Sequence, residues 1–290
     1  MTASSSPDRA HPSYVQAGIY QPRLTIFSRR PELLRNNSAT CGSQLPGFCR
    51  AKMAAMRVEA GSIAGNLERL HERVARAAQQ AGRRADEITL VAVSKMFPAE
   101  AIRAAYEAGL RHFGESRVQE WGSKQPKLAD LGATWHLIGH LQSNKARRAV
   151  HLFDRADSVD SLALADKLDS AAADEGKRLS ILIEVRMGEE ATKHGITEFD
   201  LHSLAEAVVA LPHLDLQGLM TIPPFFPEAE RLRPYFRNLR ELRDRLSRSL
   251  NRPLPLLSMG MSHDFEVAIE EGSTEIRVGT ALFGERNAHR

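Results

Sequence analysis

The sequence predicts an α/β protein of the TIM (β/α)8 barrel class, preceded by a disordered extension. Three observations predict it. From residue 62 onward, about eight short apolar runs alternate with helix-like segments, the pattern of a parallel sheet with right-handed crossovers. The chain has 290 residues, the length of one α/β barrel plus an extension. The run Thr89-Leu90-Val91-Ala92-Val93-Ser94 carries no charge and ends abruptly in Lys95, which reads as a strand buried on both faces. A doubly wound open sheet is the alternative, but no G-x-G-x-x-G follows this first strand.

The elements follow in order. Ile63, Leu67, Leu70, Val74 and Ala78 recur at helical spacing from Ser62, and Gly82 closes that helix. After the Lys95 strand, Pro98 opens a helix over Ala99–Ala108 that stops at Gly109. A short strand, Arg111–Phe113, leads through Gly114-Glu115 into a helix broken by Pro126. Thr134–Ile138 reads as strand, Lys145–Val150 as helix, Leu152–Ala156 as strand and Ser161–Ala173 as helix. Leu179–Val185 is a buried strand, followed by helix Phe199–Ala210 and strand Leu214–Met220. The helix Glu228–Leu250 turns Leu232, Phe236, Leu239, Leu242 and Leu246 inward and its arginines toward solvent. The last units are strand Leu256–Ser258, helix Asp264–Glu271 and strand Glu275–Val278.

The bulk composition, 42% hydrophobic and 26% charged, is that of an ordinary globular protein. No uncharged apolar run approaches the ~18 residues of a membrane span, so no membrane association is expected. Residues 1–52 hold seven basic residues against two acidic ones. The net charge of +3 therefore becomes −2 for the remainder, and the body gives no electrostatic case for nucleic acid. Both cysteines, Cys41 and Cys49, fall in the same segment, which argues against a disulfide scaffold or thiolate metal sites in the body and fits a reducing, cytoplasmic compartment. Residues 1–55 are rich in Ser, Pro and Arg and lack periodicity. They read as disorder, as a transit peptide, or as the product of an upstream start codon, since Met53 and Met56 precede the ordered part. The expected division is residues 1–55 as extension and 56–290 as barrel.

Chemistry in such barrels sits at the carboxyl ends of the strands. Lys95 is at one such end, where partial desolvation favours a neutral, nucleophilic amine; the plainer reading is a lysine that snorkels out of the strand end. Gly279-Thr280 directly follows the last strand and opens a short helical segment, a place where barrels bind phosphate. Ser262 lies one unit earlier, as a phosphate ligand or simply as the N-cap of the next helix. Arg277, between Ile276 and Val278, points into the barrel mouth if its neighbours pack outward; its alternative is an ion pair with Glu115 or Glu184. An imine-forming lysine, a phosphate cradle and an inward arginine suggest pyridoxal 5′-phosphate, with the aldehyde at Lys95, the phosphate on Ser262, Gly279 and Thr280, and the pyridine nitrogen facing Arg277. Arginine only donates, so it favours an unprotonated pyridine, a weaker electron sink. No catalytic residue or metal ligand is assigned.

The chain resembles the pyridoxal phosphate homeostasis protein family, which shares the barrel of the alanine racemase N-terminal domain. The resemblance rests on Ala92-Val93-Ser94-Lys95, Phe113-Gly114-Glu115, Arg117-Val118-Gln119-Glu120, the stretch Trp135 to Lys145, Leu257-Ser258-Met259-Gly260-Met261-Ser262, and Ile276-Arg277-Val278-Gly279-Thr280-Ala281-Leu282-Phe283-Gly284. These cover residues 60–286 in order. By this likeness Lys95 is the Schiff-base lysine, Arg277 the partner of the pyridine nitrogen, and Ser262, Gly279 and Thr280 the phosphate ligands. Ser116 stands where the family usually has Asn, and the first 55 residues have no family counterpart. Lys193-His194-Gly195 resembles a family loop, with a plain turn as its alternative, and His136 reads as a hydrogen-bonded interior histidine rather than a catalyst.

The family resemblance implies a non-catalytic, cytoplasmic and monomeric carrier that holds the vitamin B6 aldehyde and supplies it to apo-enzymes. The alternative is a PLP-dependent amino-acid racemase. Racemisation needs acid–base groups on both faces of the cofactor plane. Lys95 serves one face, and the other usually needs a tyrosine from a second domain. Tyr14 and Tyr20 lie in the extension, Tyr106 and Tyr235 fall in helices, and the chain ends close to its last barrel motif. A third reading, a Schiff-base aldolase, uses Lys95 without a cofactor.

Overall fold

The computed structural model of the chain describes residues 62–188 and 194–284. The expectations for residues 1–55 and for Lys193 lie outside these. Eight strands form one closed barrel in sequence order, each pairing in parallel with its neighbours. They are β1 Thr89–Val93, β2 His112–Glu115, β3 Thr134–Leu137, β4 Arg155–Val159, β5 Leu179–Glu184, β6 Leu214–Met220, β7 Leu256–Met261 and β8 Glu275–Val278. β1 closes on β8 with Thr89 opposite Glu275 and Val91 opposite Arg277. Nine α-helices surround the described barrel: α1 Ile63–Gln80, α2 Ala99–Glu107, α3 Val118–Lys124, α4 Ala146–Leu152, α5 Leu162–Asp174, α6 Glu198–Val209, α7 Arg233–Ser249, α8 Phe265–Glu270 and α9 Thr280–Phe283.

The local chemistry sets these boundaries. Ser62 caps α1, its hydroxyl accepting the Gly65 N–H at 3.1 Å, and Leu67, Leu70, Val74, Ala77 and Ala78 form the buried stripe. That stripe lies over the last barrel unit. Arg73 bonds Glu266 on α8 at 2.7 Å, and Asn66 donates to the Leu282 carbonyl of α9 at 2.7 Å. The outer arginines of α7 are not all solvated, as the sequence had suggested. Arg233, Arg237 and Arg240 converge on the buried carboxylate of Glu271 at 3.2, 2.9 and 3.4 Å. Charge on a helix face cannot reveal that an acid from the next unit lies beneath it.

The fourth strand is the other departure. It covers Arg155–Val159, three residues later than apolar content predicts, because Leu152 ends α4 and the strand itself is built on buried charges. Arg155, Asp157, His136 and Glu275 fill the amino-terminal half of the barrel. The Arg155 guanidinium bonds both Asp157 and Glu275, while His136 Nδ1 lies 3.1 Å from Asp157 and its Nε2 lies 3.0 Å from His112. His136 is thus the interior, hydrogen-bonded histidine expected. One glycine is required by close approach: a Cβ at Gly218, beside an irregularity in β6, would sit 1.8 Å from the Leu256 carbonyl of β7.

Candidate functional site

The carboxyl ends of the strands carry every candidate residue. β7, β8 and β1 are neighbours in the closed sheet, and they lead into Ser262, Gly279-Thr280 and Lys95 respectively. Lys95 lies two residues past β1 and is half-buried. It lines a cavity of about 340 Å³ with Met96, Ser116, Arg117 and Glu120. Ser116, the family departure, therefore borders the same cavity.

The backbone on both sides of Lys95 is clamped. Lys124 on α3 donates to the Ser94 carbonyl at 3.1 Å, to Glu115 at 2.9 Å and to Glu120 at 2.7 Å. The Ser94 hydroxyl donates to Glu115 at 2.8 Å, and the Met96 N–H donates to Glu120. Met96 has φ of 66°, a left-handed conformation costly for a side chain of this kind. Glu120 and Lys124, one helical turn apart, hold that strained residue next to Lys95. The motif containing Glu120 was legible in sequence; its grip on Met96 was not, because the two are 24 residues apart. Burial pushes the Glu115 carboxyl up, with Lys124 and Ser94 opposing.

Ser262 is not the N-cap of α8; Asp264 occupies that position. The Ser262 hydroxyl instead accepts the Gly279 N–H at 3.3 Å and lies 3.5 Å from the Ala281 N–H. Of the two readings the sequence offered, the N-cap is thus removed, and the hydroxyl makes a contact between the last two units. Gly260 at φ 93° makes the turn that brings Ser262 round, and a Cβ there would lie 2.6 Å from that of Ala268. At Gly279 neither φ nor packing demands glycine, since a Cβ would meet nothing closer than 3.5 Å.

Arg277 is buried at 3% exposure and makes no ion pair with Glu115 or Glu184. Its guanidinium donates to the Ser258 hydroxyl at 2.6 Å and to the Thr221 carbonyl at 2.7 Å. Ser258 and Thr221, missed in sequence as arginine holders, lie on and just after the adjoining strands β7 and β6. Burial pushes the Arg277 guanidinium below its ordinary range, while Glu275, Asp157, Glu184 and Asp264 oppose this at longer range.

Glu184, at the end of β5, has a buried Oε2 with no hydrogen-bond partner. Burial pushes its carboxyl up to about 7; Arg277 opposes and Asp160 adds to the rise. A raised folded-state value means that the folded chain holds this proton more tightly than the unfolded one. Stability is therefore full at low pH and falls as pH rises from the ordinary carboxylate range through about 7. Glu184→Gln needs no proton. At pH 8 the cofactor-free variant is expected to be more stable than the native chain by up to about 3 kcal/mol. Urea unfolding at pH 4 and pH 8 checks this: the gap is expected to vanish at pH 4, and an equal gap at both would remove Glu184 as its source.

A lysine at the end of the first strand of a closed eight-stranded parallel barrel defines a class. The family model described as alanine racemase, N-terminal domain, matches residues 65–287. An alanine racemase from Corynebacterium glutamicum shares the fold at TM-score 0.60 and 20% identity, over 77% of this chain and 61% of that one. Curated relatives narrow the class. The pyridoxal phosphate homeostasis protein of Aquifex aeolicus is 48% identical over 76% of this chain and 96% of its own length. That of Pseudomonas aeruginosa is 46% identical over 78% and 96%. PipY of Synechococcus elongatus, solved with PLP bound, is 41% identical with a TM-score of 0.69, over 77% of this chain and all of its own. The chain belongs to the pyridoxal phosphate homeostasis protein family.

Proposed function

We propose that this protein binds pyridoxal 5′-phosphate in the carboxyl-end mouth of its barrel, residues 56–290, and serves cofactor homeostasis by passing the bound aldehyde to apo-enzymes without catalysis of its own. The observation that carries this reading is the run of three adjacent strands, β7, β8 and β1, that lead into Ser262, Gly279-Thr280 and Lys95 with Arg277 buried beside them. The donor set fits the cofactor. The Ser262 hydroxyl and the Gly279 and Thr280 backbone would take the phosphate, and the missing side chain at Gly279, which packing does not require, leaves room for an anion against the backbone. Arg277 meets a hydroxyl and a carbonyl rather than a carboxylate, so it retains donors for a ring nitrogen and keeps that nitrogen unprotonated. Lys95 would hold the aldehyde carbon covalently.

Bound PLP supplies a reactive aldehyde and an electron-withdrawing ring. The chain's own residues favour storage over turnover. Arginine at the ring nitrogen weakens the sink, and the tyrosines of the described residues, Tyr106 and Tyr235, sit on the outer helices α2 and α7. No helix among the described residues is long and apolar enough to cross a membrane. A monomer in the cytoplasm is the setting that this reading implies. The test is transfer: PLP-loaded protein, freed of unbound cofactor, is mixed with a PLP-dependent apo-enzyme whose recovered activity is followed. Recovery without interconversion of L- and D-amino acids by the carrier alone is expected. Failure to take up PLP would sink the cofactor reading, and Lys95-dependent racemisation would replace the carrier with the racemase.

A further inference from the structure

Three successive loops on the barrel rim each bring one metal-ligand side chain to the same place. His140 follows β3, Asp160 follows β4 and His194 follows β5. Their donor atoms all lie within 4.8 Å of one another. His140 Nδ1 is 3.2 Å from Asp160 Oδ2, and the His140 and His194 rings stack with centroids 3.7 Å apart and planes 8° from parallel. We propose that His140, Asp160 and His194 form a binding site for a divalent cation of the zinc class.

Two imidazoles and one carboxylate are the donor set that zinc, cobalt and nickel take, and three protein ligands leave a coordination position open. A metal lies in the plane of each imidazole that binds it, so one of the two nearly parallel rings would turn out of the stack to share an ion with the other. That turn is open to side chains as accessible as these: that of His140 is 36% exposed and that of Asp160 15%. The contrast lies inside the barrel. His136, Asp157 and Glu275 offer one imidazole and two carboxylates with donor atoms likewise within 4.8 Å, but the Arg155 guanidinium already bonds both of those carboxylates. At the rim no such cation occupies the centre among the described residues. An ion there would tie together the loops after β3, β4 and β5. The plain alternative is a His140–Asp160 hydrogen bond with a ring stacked on it and no ion.

The test uses the full chain, stripped with a chelator and titrated with zinc chloride by calorimetry, then with cobalt chloride to read the visible d–d bands. One zinc per chain with micromolar or tighter affinity is expected, together with a cobalt spectrum of low coordination number. His194→Asn and Asp160→Asn are each expected to weaken zinc at least tenfold and to abolish the cobalt bands, with unchanged circular dichroism. Lys95→Ala is expected to leave zinc binding untouched, so the site stands or falls separately from the cofactor reading. Absence of stoichiometric zinc binding overturns the proposal. So does zinc held equally well by both variants, as histidines or cysteines elsewhere in the chain would give.

Discussion

Lys95→Ala is expected to abolish the visible absorption of the lysine-bound cofactor and to weaken PLP binding by ~hundredfold or more, which corresponds to about 3 kcal/mol. The size follows from the loss of the only covalent bond that the proposed site makes. What remains is the anion cradle of Ser262, Gly279 and Thr280 and the donors of Arg277, ordinary non-covalent contacts. The variant is expected to fold normally. The clamp on this segment runs through the Ser94 carbonyl and hydroxyl and the Met96 N–H, none of which belongs to the Lys95 side chain. A melting transition within about 1 kcal/mol of native would show that the loss is local. Borohydride reduction of the native protein with PLP, followed by peptide mapping, is expected to place the label on Lys95. A full-strength band in the variant, or a label elsewhere, would move the covalent site to another lysine.

Arg277→Gln asks a different question of the same site and has a smaller expected effect, since glutamine keeps some donors. It is the variant that separates cofactor electronics from cofactor attachment.

The fold was legible because the barrel repeats one signal eight times. β6 and β8 begin and end where the sequence reading placed them, and α1 lies within a residue or two of its caps. Legibility failed where strands are built on charge. β4 buries Arg155 and Asp157, and a reading that looks for apolar runs shifts it toward Leu152. The same limit applies to the site. Lys95, Ser262, Arg277, Gly279 and Thr280 could be named as candidates because each sits at or near a strand end, a position that sequence order preserves. Lys124, Ser258 and Thr221 support them through contacts 19 to 56 residues away in sequence, and the rim cluster of His140, Asp160 and His194 is assembled by three separate loops. Spacing carries no trace of such meetings, because it is the closure of the barrel that creates them.

The buried charges are also where the largest loss of stability is expected. Arg155 is nine-tenths withdrawn from solvent and bonds Asp157 and Glu275 across the barrel floor. Glu275 Oε1 already lacks a hydrogen-bond partner. Arg155→Met would leave two buried carboxylates without their cation, and breaking such a pair on one side costs about 3–5 kcal/mol. The pH dependence identifies the cause. In the native chain burial pushes the Asp157 carboxyl up, but Arg155 and His136 outweigh it and hold the group below the usual carboxylate range. A depressed value stabilises the fold above the unfolded carboxylate range and loses that contribution only in strong acid. In Arg155→Met the orphaned acids are expected to take up protons more readily when folded, so the variant gains stability relative to native as pH falls from 8 toward 5. Urea unfolding across that range measures the gap, widest at the alkaline end. Removing the acids as well, in Arg155→Met with Asp157→Leu and Glu275→Met, is expected to recover most of the loss, since apolar replacements of similar volume often match a buried ion network. A gap that stays constant with pH, or a triple variant no better than the single one, would mean that Arg155 acts through packing rather than through its charge.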